Sequence, residues 1–265
     1  RPRLPHQERR RDLRPGVRGM IPAGGLALNP ALVAADHAEI YARDGMVQIG
    51  DFLTPESAEW LASTLERATP WRLALSHQGR GQMLKAEAAR ALGVAELQRR
   101  VAAASADAAK GFAFVYQAYP IISALLDGED PGHPTHVLAE FFNSPTFLAF
   151  ARAVTAEPNL TKIDAQATCF QPGNFLTLHD DTGDGERRAA YTLGLTREWR
   201  GDWGGQLLFH DEGGDVLRGF KPRFNAWTVF RTPQLHSVSQ VANYAAKPRL
   251  TVTGWLRDDP PHDPR

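Results

Sequence analysis

Two histidines and one aspartate in the C-terminal half give this chain its sharpest chemistry. His179-Asp180-Asp181 comes first, His236 lies 55 residues beyond Asp181, and Arg249-Leu250-Thr251 begins 13 residues after His236. Two imidazoles and one carboxylate form the ligand set of a non-haem Fe(II) site, which leaves coordination positions open for oxygen and a co-substrate. An arginine soon after the second histidine adds a planar fork suited to a carboxylate.

The His-x-Asp pair is weak evidence alone. The chain has nine histidines, and four of them open a His-x-Asp or His-x-Glu. His6/Glu8 lies in an arginine-rich tail. His37/Glu39 falls in a helical pattern, where residues two apart point about 200° away from each other and cannot share an ion. His210/Glu212 is the serious rival, because it follows an apolar run at 206–209, precedes Gly213-Gly214 and reads as a hairpin tip. Yet only 24 residues separate Glu212 from His236, room for little more than one strand pair. His179/Asp181 is better placed. Residues 175–179 read as a strand with Phe175, Thr177 and His179 on one face and Leu176 and Leu178 on the other. The strand breaks into a turn-rich loop, where the Asp181 carboxylate can turn back toward His179.

The elements that must position these groups are also legible. Strands are expected at 189–195, 206–209, 225–231, 235–241 and 249–255, separated by loops rich in Gly, Pro, Asn and Asp, which suggests a sandwich or barrel. Alternation in the last strand places Arg249, Thr251, Thr253 and Trp255 in one row. Such a row suits the wall of a polar pocket, while Leu250, Val252 and Leu256 face covering helices. Upstream, helices are expected at 30–43 (capped by Asn29, with proline first), at 54–68, at 84–109 with a break at Gly93, from Thr135 or His136, and from Ser144-Pro145. Residues 45–49 read as a strand. Polar loops at 76–82 and 127–134 are expected to border the mouth of the pocket. The aromatic residues at 112–119 read as core more readily than as substrate contacts.

These elements, in this order, resemble the prolyl-hydroxylase branch of the Fe(II)/2-oxoglutarate oxygenases. The resemblance covers about residues 166–257: Pro172-Gly173-Asn174, His179-x-Asp181, Gly183-Asp184-Gly185 with Arg188, Leu195-Thr196-Arg197-Glu198-Trp199, Gly204-Gly205 with Leu207, Asn225 with Val229-Phe230, His236-Ser237-Val238, and Arg249 through Trp255. Less specifically, the segments at 112–120 and 141–145 resemble bacterial relatives of the fungal and animal hydroxylases of a ribosomal-protein proline. The resemblance implies an α+β fold: a double-stranded β-helix (jelly-roll, cupin-like) core backed by N-terminal helices. It also implies Fe(II) held by His179, Asp181 and His236, with 2-oxoglutarate, O2 and ascorbate as a reductant. Arg249 and Thr251 would hold the far carboxylate of 2-oxoglutarate, while Thr253, Trp255 and Asn174 would shape the substrate pocket. One departure is that the family often has tyrosine at or before the Pro-Gly turn, where this chain has Phe170-Gln171. Either Gln171 or Tyr191 is then expected to reach the co-substrate.

Composition narrows the rest. A length of 265 residues with 43% apolar content supports a substantial core. The expected organisation is a basic tail at 1–19 and one oxygenase domain at 20–265. Formal net charge is zero, so bulk attraction to nucleic acid or membrane has no basis. The single cysteine, Cys169, excludes an internal disulfide framework and suits the reducing cytoplasm. Residues 1–18 hold seven arginines and no apolar stretch of a secretory signal. Met20 is a candidate natural start, the tail is expected to be dispensable, and an RNA-binding arm is the sharper alternative. Three functions compete: a hydroxylase of a prolyl residue in a protein or peptide, a hydroxylase of a free amino acid or other small metabolite, and a non-catalytic metal-binding β-barrel.

Overall fold

Thr54 and Ser144, each followed by proline, begin helices as their sequence signature demands: their hydroxyls accept from the backbone N–H groups of Ser57 and Phe147. In the computed structural model, residues 21–77, 79–183 and 185–261 are described. The basic tail, its His6/Glu8 pair and Asp184 lie outside the described residues. The elements run α1 (Ala34–Asp44), β1 (Met46–Ile49), α2 (Pro55–Arg67), β2 (Arg72–His77), β3 (Arg80–Leu84), α3 (Ala86–Leu92), α4 (Val94–Ala108), β4 (Phe114–Tyr119), α5 (Ile121–Leu126), α6 (Val137–Phe142) and α7 (Pro145–Thr155). They continue with β5 (Lys162–Ile163), β6 (Gln166–Phe170), β7 (Phe175–His179), β8 (Arg187–Gly194), β9 (Leu207–His210), β10 (Val216–Phe220), β11 (Ala226–Arg231), β12 (His236–Val238) and β13 (Arg249–Arg257).

All strand pairs are antiparallel, in the order β1-β11-β8-β13-β6-β4-β7-β12-β9-β10. The strands β11-β8-β13-β6 make one wall and β7-β12-β9-β10 the other, and β4 bridges β6 to β7. This is the α+β double-stranded β-helix, a nearly closed barrel. Leu250, Val252 and Leu256 of β13 face away from the barrel interior and join Tyr191, Leu193, Trp227 and Val229 in the main core. Helices α2, α6 and α7 cover that layer with Leu61, Leu65, Phe142 and Phe147. Trp227 stacks on Phe52 at 5.0 Å and meets Phe147 edge-on. This layer makes the β13 wall rigid, so that the opposite face of the same strand can hold polar groups in fixed places.

Local expectations fail in two instructive places. Helix α1 starts at Ala34, not Pro30, because Asn29 closes a turn of its own: its side chain accepts from Ala31 N–H, and Leu32 N–H donates to its carbonyl. Residues 76, 77 and 80–82, expected in an open loop, pair within the β2–β3 hairpin. The predicted break of the long alanine-rich helix does occur, at Gly93, whose φ is +76°.

Asn225 ties the two layers together. It sits 6% exposed with a left-handed φ of +52°, a conformation that asparagine tolerates better than most residues. Its side chain donates to the Leu53 carbonyl and accepts from Leu53 N–H, both at 2.8 Å. Asn225→Ala should leave both groups buried and unpaired, which costs on the order of 2–4 kcal/mol. Urea denaturation measures this; a loss under about 0.5 kcal/mol, the size of an ordinary surface change, would show that the bridge is not structural.

Candidate metal centre and co-substrate pocket

The metal centre rests on one cross-strand pair. His236, at the start of β12, lies directly opposite His179, at the end of β7. The next paired positions are Val238 and Leu176, so three residue steps on β7 match two on β12. This bulge shifts the phase of β7. Strict alternation had put Leu176 and His179 on opposite faces, yet both line the barrel cavity, while Leu178 is exposed and Phe175 joins a separate apolar cluster. The imidazoles end with ring centroids 4.1 Å apart. Asp181 follows in the left-handed region at φ +59°, which turns its carboxylate back between them.

The donor atoms are oriented for a cation. His179 Nδ1–H donates to the Thr177 carbonyl at 2.9 Å, and His236 Nδ1–H donates to the Gln234 carbonyl at 2.7 Å. A carbonyl can only accept, so each Nε2 keeps its lone pair. Those Nε2 atoms lie 3.6 Å and 3.4 Å from the two Asp181 oxygens, and the three ligand atoms fall within 4.8 Å of one another. Burial, then the neighbouring His236, pushes the His179 pKa down, which favours the neutral imidazole that a metal needs. Burial alone would raise Asp181, but the facing His236 and His179 outweigh it and hold the carboxyl below its usual range. The indole N–H of Trp255 lies near enough to help without closing a well-formed hydrogen bond.

The rival pair is committed elsewhere. His210 Nδ1–H donates to the Gly214 carbonyl at 3.2 Å, and its Nε2 is hydrogen-bonded with Ser237 Oγ at 2.9 Å, at the β9–β10 hairpin tip. His37 and Glu39 sit on α1, away from the ligand cluster.

Arg249 lies in the same cavity, which has a volume of about 430 Å³. It is 3% exposed and has no acidic partner among the described residues. Its side chain donates one long bond to Thr251 Oγ1 at 3.4 Å, and its Nε is buried with no acceptor. Burial pushes its pKa down to about 10, so it stays cationic at neutral pH. A buried cation without a counter-charge is costly, and an anion in the cavity would offset that cost. Room for its stem comes from Gly205, where a Cβ would stand 3.1 Å from Arg249 Cδ. The imidazole pair with both Nε2 atoms facing Asp181, the charged Asp181 carboxylate and the buried Arg249 fit one divalent metal together with a carboxylate-bearing co-substrate.

The rest of the β13 row is where alternation placed it: Thr251, Thr253 and Trp255 line the cavity with Arg249. Thr251 shares a short hydroxyl–hydroxyl contact with Thr168, and Thr253 donates to the Tyr191 carbonyl. Three other expected residues are not among those lining the cavity. Tyr191 points to the helical side, where its hydroxyl donates to the Asp164 carbonyl; Ala190 and Thr192 are the cavity-facing residues of β8. The Gln171 amide is turned to Cys169 Sγ at 3.4 Å, and Asn174 accepts from Gln171 N–H within the Pro-Gly turn. Phe112, Phe114 and Tyr116, by contrast, do line the cavity. Their i, i+2, i+4 spacing was visible in the sequence, but nothing there showed that β4 would insert between β6 and β7.

Two histidines and one carboxylate that could hold a metal ion thus lie together inside a double-stranded β-helix. Residues 165–257 match the model of the 2OG-Fe(II) oxygenase superfamily. Among solved structures, a Pseudomonas putida prolyl-4-hydroxylase is similar at a TM-score of 0.54 and 19% identity, covering 85% of this chain and 99% of that one. A Trichoplax adhaerens prolyl hydroxylase, solved with a hypoxia inducible factor oxygen degradation domain peptide fragment, is similar at 0.56 and 14%, covering 85% and 89%. The non-heme alpha ketoglutarate dependent epimerase SnoN from nogalamycin biosynthesis is similar at 0.53 and 13%, covering 85% and 82%. No curated protein matches in sequence. Residues 165–257 are thus similar to the 2OG-Fe(II) oxygenase superfamily, and the fold is prolyl-hydroxylase-like.

The ligand assignment makes a clean comparison possible. Asp181→Ala should weaken Fe(II) binding on the order of 100-fold or more, since losing even an outer partner of a ligand costs 10- to 100-fold. His210→Ala should leave it unchanged. Anaerobic equilibrium dialysis with iron quantitation reads both; loss in His210→Ala with retention in Asp181→Ala would reverse the assignment.

Proposed function

We propose that this chain is a 2-oxoglutarate-dependent dioxygenase that hydroxylates an unactivated C–H, with a prolyl residue of a protein or peptide as prime substrate. The observation that carries the co-substrate is Arg249, cationic, buried and without an acid. A planar guanidinium accepts the far carboxylate of 2-oxoglutarate through paired N–H donors. Thr251 adds a hydroxyl donor beside it. A non-catalytic barrel would have no use for this cation.

His179, Asp181 and His236 would hold Fe(II) on one face. Bound metal, co-substrate and O2 supply the oxidant that removes hydrogen from carbon. The chain's own contribution is position and seclusion. The Thr177 and Gln234 carbonyls fix both imidazole rings. Phe230 packs on the His236 ring at 4.7 Å and keeps water from that side. Ascorbate would serve as an external reductant, without a dedicated residue.

Support for a prolyl substrate comes from prolyl hydroxylases among the similar structures, one of them in complex with a peptide fragment. A second reading, a free amino acid or other small metabolite, is favoured by the likeness to the epimerase of nogalamycin biosynthesis. Both use the same metal and co-substrate groups. The placement in the cytoplasm belongs to this proposal; among the described residues, no helix is long and apolar enough to cross a membrane.

Arg249→Ala should remove a charge-assisted pair from a secluded pocket, a loss of about 2–5 kcal/mol. That corresponds to roughly 30- to 4,000-fold weaker 2-oxoglutarate affinity. Arg249→Lys should restore only part, because an ammonium is a point donor. Iron affinity without 2-oxoglutarate should stay the same, since Arg249 is not a ligand. Titrating 2-oxoglutarate into the anaerobic Fe(II) protein and following the metal-to-ligand charge-transfer band tests this; affinity within threefold of the parent would place the clamp elsewhere.

A further inference from the structure

We infer that Phe112 and Phe114 form a stacking platform that selects a neutral, ring-bearing group of the prime substrate and holds it beside the metal. This deepens the dioxygenase reading and rests on it. Phe114 and Tyr116 on β4, and Phe112 just before the strand, line the cavity together. Successive centroids are 5.6 Å and 5.5 Å apart, and Tyr116 then stacks on Phe170 at 4.8 Å. The series runs from the mouth, where Phe112 is 53% exposed, to Phe170, over which the Arg249 guanidinium sits at 5.2 Å. Phe112 also lies 5.4 Å from the ring of the metal ligand His179.

Packing does not account for the two outer rings. Phe112 and Phe114 take part in none of the three hydrophobic clusters among the described residues. An exposed phenylalanine touching a metal ligand leaves apolar surface in water at the place where substrate must arrive. The platform is nonetheless held in place: a Cβ on Gly81 of the β2–β3 hairpin would stand 3.3 Å from Phe114 Cζ, so the hairpin backbone supports that ring closely.

Charge fixes the other half of the inference. Fe(II) with Asp181, and Arg249 with doubly charged 2-oxoglutarate, sum to zero, counting the ion's own charge. Arg257, the other lining cation, is already engaged by Asp164 at 3.1 Å, Glu186 at 3.4 Å and Asp259 at 2.8 Å, so it offers no free charge to a substrate. The space between is walled by rings on one side and by Thr253 and Trp255 on the other. Such a slot favours a flat apolar ring, which gains burial and ring contact, and disfavours a charged group, which would lose its hydration without a partner. The Arg187 guanidinium, by contrast, lies over the Trp255 ring at 3.8 Å and is not part of the cavity lining.

The test uses the full chain with Fe(II), 2-oxoglutarate and O2. Blocked pentapeptides of glycine with a central proline, phenylalanine, aspartate or lysine are assayed for stimulation of succinate formation. The proline or phenylalanine peptide should stimulate, and the charged two should not. Phe112→Ala and Phe114→Leu should each lower kcat/KM for the stimulating peptide by about tenfold, the equivalent of one 1.4 kcal/mol step, with 2-oxoglutarate KM and Tm unchanged. Equal or better stimulation by the aspartate peptide would shift recognition to Arg187 and overturn the proposal. So would stimulation by no ring-bearing peptide, or variants that lose Tm and 2-oxoglutarate affinity along with turnover, since the rings would then be packing. Absence of 2-oxoglutarate binding to the anaerobic Fe(II) protein would instead sink the dioxygenase reading, and this proposal with it.

Discussion

The site depends on the pairing of His236 with His179 across β12 and β7. Antiparallel register places two residues 57 positions apart side by side, and the bulge beyond them turns His179 inward. A one-residue slip would carry one imidazole to the outer face. The backbone carbonyls of the same two segments then fix the tautomer of each ring, so a single stretch of ladder sets both where the ligands are and which nitrogen they present. Asp181 completes the set only because the chain leaves β7 through a left-handed residue.

The second constraint is the separation of duties on β13. Its outward residues are locked beneath α2, α6 and α7, and its inward residues form the polar row. The rigid outer face supports the desolvated Arg249 on the inner one. An unpaired buried guanidinium weakens the free protein, and a bound anion would offset that cost. On the proposed reading the pocket would couple folding stability to co-substrate, with the candidate metal-binding residues lining the same cavity.

Much of this was legible in the sequence. The order of short strands, the break at Gly93, the capped helices at Thr54 and Ser144, and the β13 row all follow from local rules of period two, capping and glycine geometry. The grouping of His179, Asp181 and His236, rather than a set containing His210/Glu212, followed from spacing and strand context. What could not be read depends on long-range pairing. The phase of β7 is set by its bulge against β12, the inward face of β8 by its partners β11 and β13, and the role of Phe112 and Phe114 by the insertion of β4. Tyr191 shows the limit clearly: alternation says that it opposes Ala190 and Thr192, but only the helical layer decides which side is the core. Asn29 shows another: its side chain suits a helix cap and a turn equally, and the contact of Leu28 with Leu53 selects the turn.

The central claim is that one metal and one 2-oxoacid react inside this barrel. Its most direct measurement is aerobic turnover of the Fe(II)-loaded protein with 2-oxoglutarate, quantifying 2-oxoglutarate consumed and succinate formed. The account predicts succinate equal to the 2-oxoglutarate lost, dependent on both Fe(II) and O2. A protein that binds one Fe(II) per chain yet consumes no 2-oxoglutarate, alone or with any peptide or metabolite supplied from a cell extract, would contradict it.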